Sequence, residues 1–112
     1  MAYSTRHYSN KQEKNVAKNI GGKKVSNSGA PMFLAGDVKT DKFLIECKTA
    51  TKEQESFSIR KKWVDKAKEE CFSQGKPYWS IAFNFGGESQ KENFYIINEE
   101  LFNELKDLME NY

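Results

Sequence analysis

The sequence predicts an α/β domain in which a mixed central β-sheet of about five strands is flanked by helices. The first observation is the alternation of helical and β-favouring segments along 112 residues, a length that suits a single domain spanning residues 1–112. The second is the short apolar run Phe43 to Ile45, which a stretch able to turn separates from Asp37, as in a β-hairpin. The third is the β-favouring stretch Tyr78 to Phe85, which follows an amphipathic segment that predicts a helix crossing one face of the sheet.

The N-terminal part of the chain predicts one helix and one strand. Residues 1–8 are expected to be flexible, and Ser9 with Gln12 fits a capping box that opens the helix. Gly21-Gly22 is expected to end it. Lys23 to Val25 is then predicted to be a strand.

The C-terminal half predicts two helices and two strands. A helix is expected from about Ser58 to Gln74, with Ser56 or Ser58 as its N-cap and Gly75 after its end. After the Tyr78 to Phe85 strand, Phe94 to Ile97 predicts a further strand, and Asn98 is expected to cap a closing helix. The closing helix has five apolar positions on one side: Leu101, Phe102, Leu105, Leu108 and Met109.

The hairpin brings together the residue types of a metal site. Because side chains alternate along a strand, Glu46 and Lys48 are predicted to share one face. A tip at residues 40–41 places Asp37 diagonal to Glu46, and a tip at residues 41–42 places it directly opposite. Carboxylate oxygens suit Mg²⁺, which also binds phosphate oxygens, and a nearby lysine can orient or deprotonate a water. The alternative is a solvated hairpin with Lys and Glu on its wet face.

Glu13 is a further candidate from the first helix. It shares a helical face with Val16, Ala17 and Ile20, and an unpaired carboxylate is costly to bury. Glu13 is therefore either part of a site with Asp37 or a solvated acid near the start of its helix.

The order of these segments resembles the PD-(D/E)XK nuclease superfamily, and more closely the archaeal-type Holliday junction resolvases and their phage relatives. The resemblance rests on Glu13 in a first helix, the stretch Lys24 to Ala30, Asp37, the triplet 46–48 (Glu-Cys-Lys), and Gly75 to Phe83 after a basic helix. Two departures are a glycine preceding Asp37, where the superfamily name has proline, and a short interval between Ser28 and the triplet.

This resemblance implies roles for individual residues. Asp37 and Glu46 would be metal ligands, with the backbone carbonyl of Cys47 and the Glu13 carboxylate as further ligands. Lys48 would be the catalytic lysine. Ser28, with Glu13, would match additional active-site residues of the family, although the Asn-Ser-Gly stretch is also ordinary turn chemistry.

The resemblance also implies an activity. The chain is expected to be a Mg²⁺-dependent endonuclease, with Mn²⁺ able to substitute, that acts as a Holliday junction resolvase on branched DNA. A four-way junction has two-fold symmetry, so a homodimer is expected. The alternatives are a nuclease of the same fold acting on flaps, nicks or single strands, and a non-catalytic DNA-binding module.

Charge distribution marks where DNA would be held. The net charge is only +2, but basic residues concentrate in the first half of the chain. Lys52 and the run Arg60, Lys61 and Lys62 follow shortly after Lys48, so they are predicted to contact phosphates near the active site. The alternative is a helix face that is merely solvated.

Composition indicates the compartment. Cys47 and Cys71 have no metal-binding or CxxC spacing, so they are expected to be reduced and packed. The sequence contains no apolar run long enough to cross a bilayer, and no contact with a membrane is expected. The protein is expected to be cytoplasmic, acting in the host cell if a phage encodes it.

Overall fold

A mixed five-stranded sheet with helices on both faces forms the protein, as the sequence predicts. The computed structural model describes residues 5–25, 37–87 and 92–111. The helices are α1 (Thr5–Ile20), α2 (Lys61–Ser73) and α3 (Glu99–Glu110). The strands are β1 (Lys23–Lys24), β2 (Asp37–Lys39), β3 (Phe43–Lys48), β4 (Tyr78–Phe83) and β5 (Phe94–Ile96), and they lie in the order β1-β2-β3-β4-β5.

The strand directions follow from the connections. β3 and β4 are parallel because α2 joins them by a crossover, and the other three neighbouring pairs are antiparallel. The carboxyl ends of β3 and β4 therefore lie at the same edge of the sheet. α2 returns antiparallel to both strands, which brings its first turn to that edge.

The β2–β3 hairpin adopts the second of the two predicted registers. Asp37 pairs with Glu46 directly across the two strands, so the tip is Asp41-Lys42. Thr40 closes the tip, because its amide donates to the Phe43 carbonyl at 3.0 Å and its hydroxyl accepts from the Phe43 amide at 3.1 Å. Both carboxylates consequently lie on one face of the sheet.

The two faces of the sheet pack against different helices. Ile45 and Cys47 contact the α1 side through Val16, together with Val38 and Ala82. The opposite face of β3 contributes Leu44 to a cluster with residues of α2 and β4: Ala67, Cys71, Trp79 and Ile81. The predicted alternation is confirmed, and it directs Glu46 and Lys48 towards α2.

Two helix starts differ from the predictions. α1 begins at Thr5, upstream of the expected cap at Ser9, because Tyr8 is buried and its packing extends the helix. α2 begins at Lys61 rather than Ser58, and its N-cap residue Arg60 makes no side-chain capping bond. The preceding segment is held extended because the ring of Phe57 packs against the α2 and β4 aromatic side chains.

Three other boundaries agree with the sequence, whereas the end of β4 differs. Gly21 follows α1 with φ of 70°, and Gly75 follows α2 with φ of 67°, a conformation that favours glycine. The Asn98 side chain accepts a hydrogen bond from the Leu101 amide at 2.9 Å, which confirms the predicted cap of α3. β4 ends at Phe83, two residues before the predicted end, because the Asn84 side chain accepts from the Gly86 amide at 2.9 Å and closes a turn.

None of the helices in the described ranges is both long enough and apolar enough to cross a membrane.

Candidate metal centre

Three carboxylates meet between the sheet and α2. Asp37 begins β2, Glu46 lies opposite it in β3, and Glu70 comes from α2 above them. One carboxylate oxygen from each lies within 4.8 Å of the other two. Strand pairing fixes the first two side chains, and the packing of α2 on this face supplies the third.

Asp37 and Glu46 are withdrawn from water, and Glu70 is half-buried. Only 8 % of Asp37 and 1 % of Glu46 are exposed. Oδ1 of Asp37, Oε2 of Glu46 and Oε2 of Glu70 are buried without a hydrogen-bond partner. An unpaired buried acceptor costs about 1–3 kcal/mol, and more when it is charged. Three carboxylates that each offer an oxygen within 4.8 Å of the other two are the type of donor set that a hard divalent cation takes.

Lys66 compensates part of this charge. Its ammonium lies 3.2 Å from Oε1 of Glu46 and 3.6 Å from Oε1 of Glu70. Burial opposes the charge of Lys66, but these two carboxylates raise its pKa. The ammonium thus stabilises two of the three acids from the α2 side.

The proximity and burial of the three acids strongly affect the pKa of Asp37. Burial, followed by the nearby charges of Glu46 and Glu70, raises the pKa of Asp37 from 3.8 to about 9. The carboxyl group therefore holds a proton at neutral pH when no cation is present. A divalent cation would displace that proton, because metal ligands bind in the deprotonated form.

Lys48 lies on the same face, two residues beyond Glu46. Its ammonium is 4.7 Å from the ring centroid of Trp63, a cation–π contact that directs the side chain along α2. Burial lowers the pKa of Lys48 and the nearby Lys66 ammonium acts in the same direction, while Glu46 opposes them. A lysine with a lowered pKa releases its proton more readily near neutral pH.

The backbone of Lys48 is anchored from the other face of the sheet. Nε2 of Gln12, a buried α1 side chain, donates to the Lys48 carbonyl at 2.8 Å and to the Ala82 carbonyl at 3.1 Å. It also lies 3.2 Å from Oδ1 of Asn93. Gln12 therefore ties the ends of β3 and β4 to α1, a role that its predicted place in a capping box did not reveal.

Glu13 does not join the group. Among the described residues, the carboxylates within 4.8 Å are those of Asp37, Glu46 and Glu70. Glu13 is buried on α1, which packs on the opposite face of the sheet, and its carboxylate pairs with Lys24 at 3.4 Å. The solvated-acid alternative is wrong for Glu13, since the side chain is buried and paired.

Two other predicted site residues have different outcomes. Ser28 lies outside the described residues. The Cys47 side chain packs on the α1 face, and burial raises the pKa of its thiol, so the sulfur stays protonated. Ligation by the Cys47 backbone carbonyl stays a prediction.

The sequence reasoning missed Glu70 and Lys66. Glu70 lies seven residues after Trp63 and three after Ala67, which is the helical spacing of the packed stripe of α2. An acid at a core-facing helical position was the available signal. It was hidden because the neighbouring charges made this part of α2 resemble a solvated surface.

The predicted DNA-contacting residues surround the carboxyl ends of β3 and β4. Arg60 precedes the first residue of α2, and Lys61 pairs with Asp65 at 3.0 Å on the exposed side of the helix. Lys62 is exposed beside it. Lys52 lies in the loop that packs on the segment after β4, where the Gln54 amide donates to the Phe85 carbonyl. All four basic residues are therefore on the side of the sheet edge where Lys48 ends its strand.

Comparison with models of known protein families, with curated proteins and with solved structures found no match. The resemblance to the PD-(D/E)XK superfamily therefore rests on the residues of this chain alone.

Proposed function

We propose that this protein is a divalent-metal-dependent nuclease. The observation that carries the proposal is the convergence of two buried carboxylates, Asp37 and Glu46, with the half-buried Glu70, beside a half-buried lysine on the same sheet face. Asp37, Glu46 and Glu70 would hold the cation. When bound, the cation would polarise a phosphate oxygen and offset the charge that develops during hydrolysis.

The protein groups then have separate tasks. Lys48 would position the attacking water or accept its proton, since burial lowers the pKa of Lys48. The water oxygen forms a bond to phosphorus, and the bond to the leaving oxygen breaks. Lys66 would keep Glu46 and Glu70 oriented towards the cation through its ion pairs.

The basic residues would hold the substrate backbone. Arg60, Lys62 and Lys52 are exposed around the edge at which Lys48 lies, and phosphate contacts of this kind position a nucleic acid without reading its sequence. Branched DNA, and in particular a four-way junction, is the substrate that we propose. Flaps, nicks and single strands are the alternatives, because the metal ligands do not select substrate shape.

A resolvase also requires two active sites in one particle. On α3, Phe102, Leu105, Leu108 and Met109 are exposed, and we propose this apolar face as the contact between two copies. The inner residues of β4 (Trp79, Ser80, Ile81 and Ala82) are buried within the chain, so this strand is a poorer contact.

The test is cleavage of a panel of labelled DNAs. Four-way junction, flap, nicked duplex, linear duplex and single strand are incubated with Mg²⁺, Mn²⁺ or EDTA. Wild-type protein should cut with either metal and not with EDTA, whereas Glu46→Gln should not cut but should retain its fold. Wild-type-like cleavage by Glu46→Gln, or cleavage in EDTA, would remove the proposed metal centre from the reaction.

A further inference from the structure

A cluster of aromatic rings lies beside the candidate metal centre. We call Phe57, Trp63, Phe83, Phe85 and Phe94 the aromatic surface. Phe83 is its centre, with ring centroids 5.3 Å from Phe57, 5.7 Å from Phe85 and 5.6 Å from Phe94. Trp63 joins through Phe57 at 6.2 Å, and Phe85 and Phe94 lie 5.7 Å apart.

Strand register places this surface next to Lys48. Lys48 pairs with Phe83, which pairs with Phe94, so the three residues form one row across β3, β4 and β5. The preceding row on this face contains Asp37 and Glu46. Two strand spacings of about 4.8 Å put the Phe94 backbone roughly 10 Å from that of Lys48. The aromatic surface thus continues from the metal centre across the sheet.

Two rings of the aromatic surface are partly exposed to solvent. Phe85 is 37 % exposed and Phe94 is 39 % exposed, although both pack against Phe83. Exposed basic residues lie nearby: Lys52 is in the loop packed on the segment after β4, and Arg60 and Lys62 lie at the start of α2. Glu53, Glu55 and Glu92 are also exposed in these segments. Accessible rings bordered by cations match a polyanion that also presents flat apolar groups.

We propose that the aromatic surface stacks unpaired bases of a nucleic acid whose backbone passes the metal centre. This inference rests on the proposed nuclease function for its consequence, which is preference for a substrate with unpaired nucleotides beside the scissile phosphate, so it favours flaps and single strands over a fully paired four-way junction. Every base has a π-face, so stacking is tolerant of sequence, whereas the bases of an intact duplex are already stacked on one another. Lys52, Arg60 and Lys62 would contact the phosphates on either side.

Binding in EDTA tests the proposal without any catalysis. Affinity for a fluorescent oligothymidine is compared with affinity for the same backbone carrying abasic sites, which keeps the phosphates and removes the bases. Wild-type protein should bind oligothymidine more tightly by about 5- to 150-fold for each stacked base. Equal affinity for the two oligonucleotides would overturn the proposal.

Variants locate the stacking surface. Phe94→Leu and Phe85→Leu keep an apolar side chain but remove the ring, and each should weaken oligothymidine binding at least about fivefold with little effect on the abasic oligonucleotide. Tyr95→Leu is the matched control. Tyr95 is 40 % exposed on the same strand as Phe94, but it pairs with Ala82 and lies on the α1 face. Thermal unfolding checks that each variant is folded.

The outcomes separate the two proposals. Base-dependent binding that Phe94→Leu loses and Tyr95→Leu keeps supports the proposed stacking on the aromatic surface. If the protein shows such binding but cleaves no DNA with metal, only the nuclease function is overturned. Metal-dependent cleavage without base-dependent binding overturns the aromatic surface alone. Equal losses in Phe94→Leu and Tyr95→Leu would also overturn it, since a stacking site on one face cannot depend on the other face.

Discussion

Replacing Asp37 by asparagine should make the metal-free protein increasingly more stable than wild type as the pH rises. Asp37 is buried beside Glu46 and Glu70, and its pKa is raised from 3.8 to about 9. The folded protein therefore holds a proton between these pH values that the unfolded chain has released. The contribution of this proton to the free energy of unfolding should be fully present below about pH 4 and should be lost as the pH rises towards 9.

The size of the effect follows from one proton. Stability should fall by up to about 1.4 kcal/mol per pH unit, or about 2.7 kcal/mol between pH 6 and pH 8. In Asp37→Asn, the side chain at this position does not titrate and stays neutral at both pH values. The difference in unfolding free energy between Asp37→Asn and wild type should therefore widen in favour of the variant over this interval.

The assay is urea unfolding in EDTA at pH 6 and pH 8. Asp65→Asn is the matched control, because Asp65 is on the exposed side of α2 and its difference from wild type should not change between the two pH values. A pH-independent difference for Asp37→Asn would refute the reasoning, since Asp37 would then be ionised in the folded state. Adding Mg²⁺ or Mn²⁺ at ten times its Kd should stabilise wild type by about 1.4 kcal/mol and Asp37→Asn much less.

Four further predictions concern other parts of the molecule. Glu70→Gln should weaken metal-dependent stabilisation and cleavage, whereas Glu69→Gln, on the exposed side of α2, should leave both unchanged. Equal effects of the two substitutions would remove Glu70 from the proposed metal centre. Lys48→Ala should lower kcat about 10²- to 10⁴-fold with little change in metal affinity, and an unchanged kcat would exclude it from proton transfer. Alanine at residues 60–62 should weaken DNA binding and reduce its salt slope by about 0.7–0.9 for each phosphate that the variant no longer neutralises; an unchanged slope would mean a merely solvated face. Light scattering should show a homodimer that Phe102→Glu dissociates, and a wild-type monomer with and without junction DNA would rule out a symmetric resolvase.

The hairpin was predictable because strand periodicity constrains it. Either tip placed Asp37 and Glu46 on one face, and only the exact register required the structure. Thr40 decides that register with its hydroxyl, a local contact that composition does not reveal. The first two carboxylates of the centre could therefore be predicted from strand alternation alone.

Tertiary packing determined what the sequence reasoning missed. Glu70 reaches the site because α2 packs on the face that bears Glu46, and a single-sequence pattern does not give that orientation. Glu13 looked like a member of the site because it led an apolar stripe, but α1 covers the other face. The early start of α1 likewise reflects the burial of Tyr8, and the late start of α2 reflects the contact of Phe57 with the distant Phe83.

Metal binding at the three carboxylates is the property that most directly tests the proposed centre. Titration of Mn²⁺ followed by electron paramagnetic resonance counts bound ions without requiring a substrate. We predict a bound Mn²⁺ in wild type that Glu46→Gln and Glu70→Gln lose or hold far more weakly, and that Glu69→Gln retains. Equal Mn²⁺ binding by wild type and Glu46→Gln, or none by either, would contradict the proposed centre.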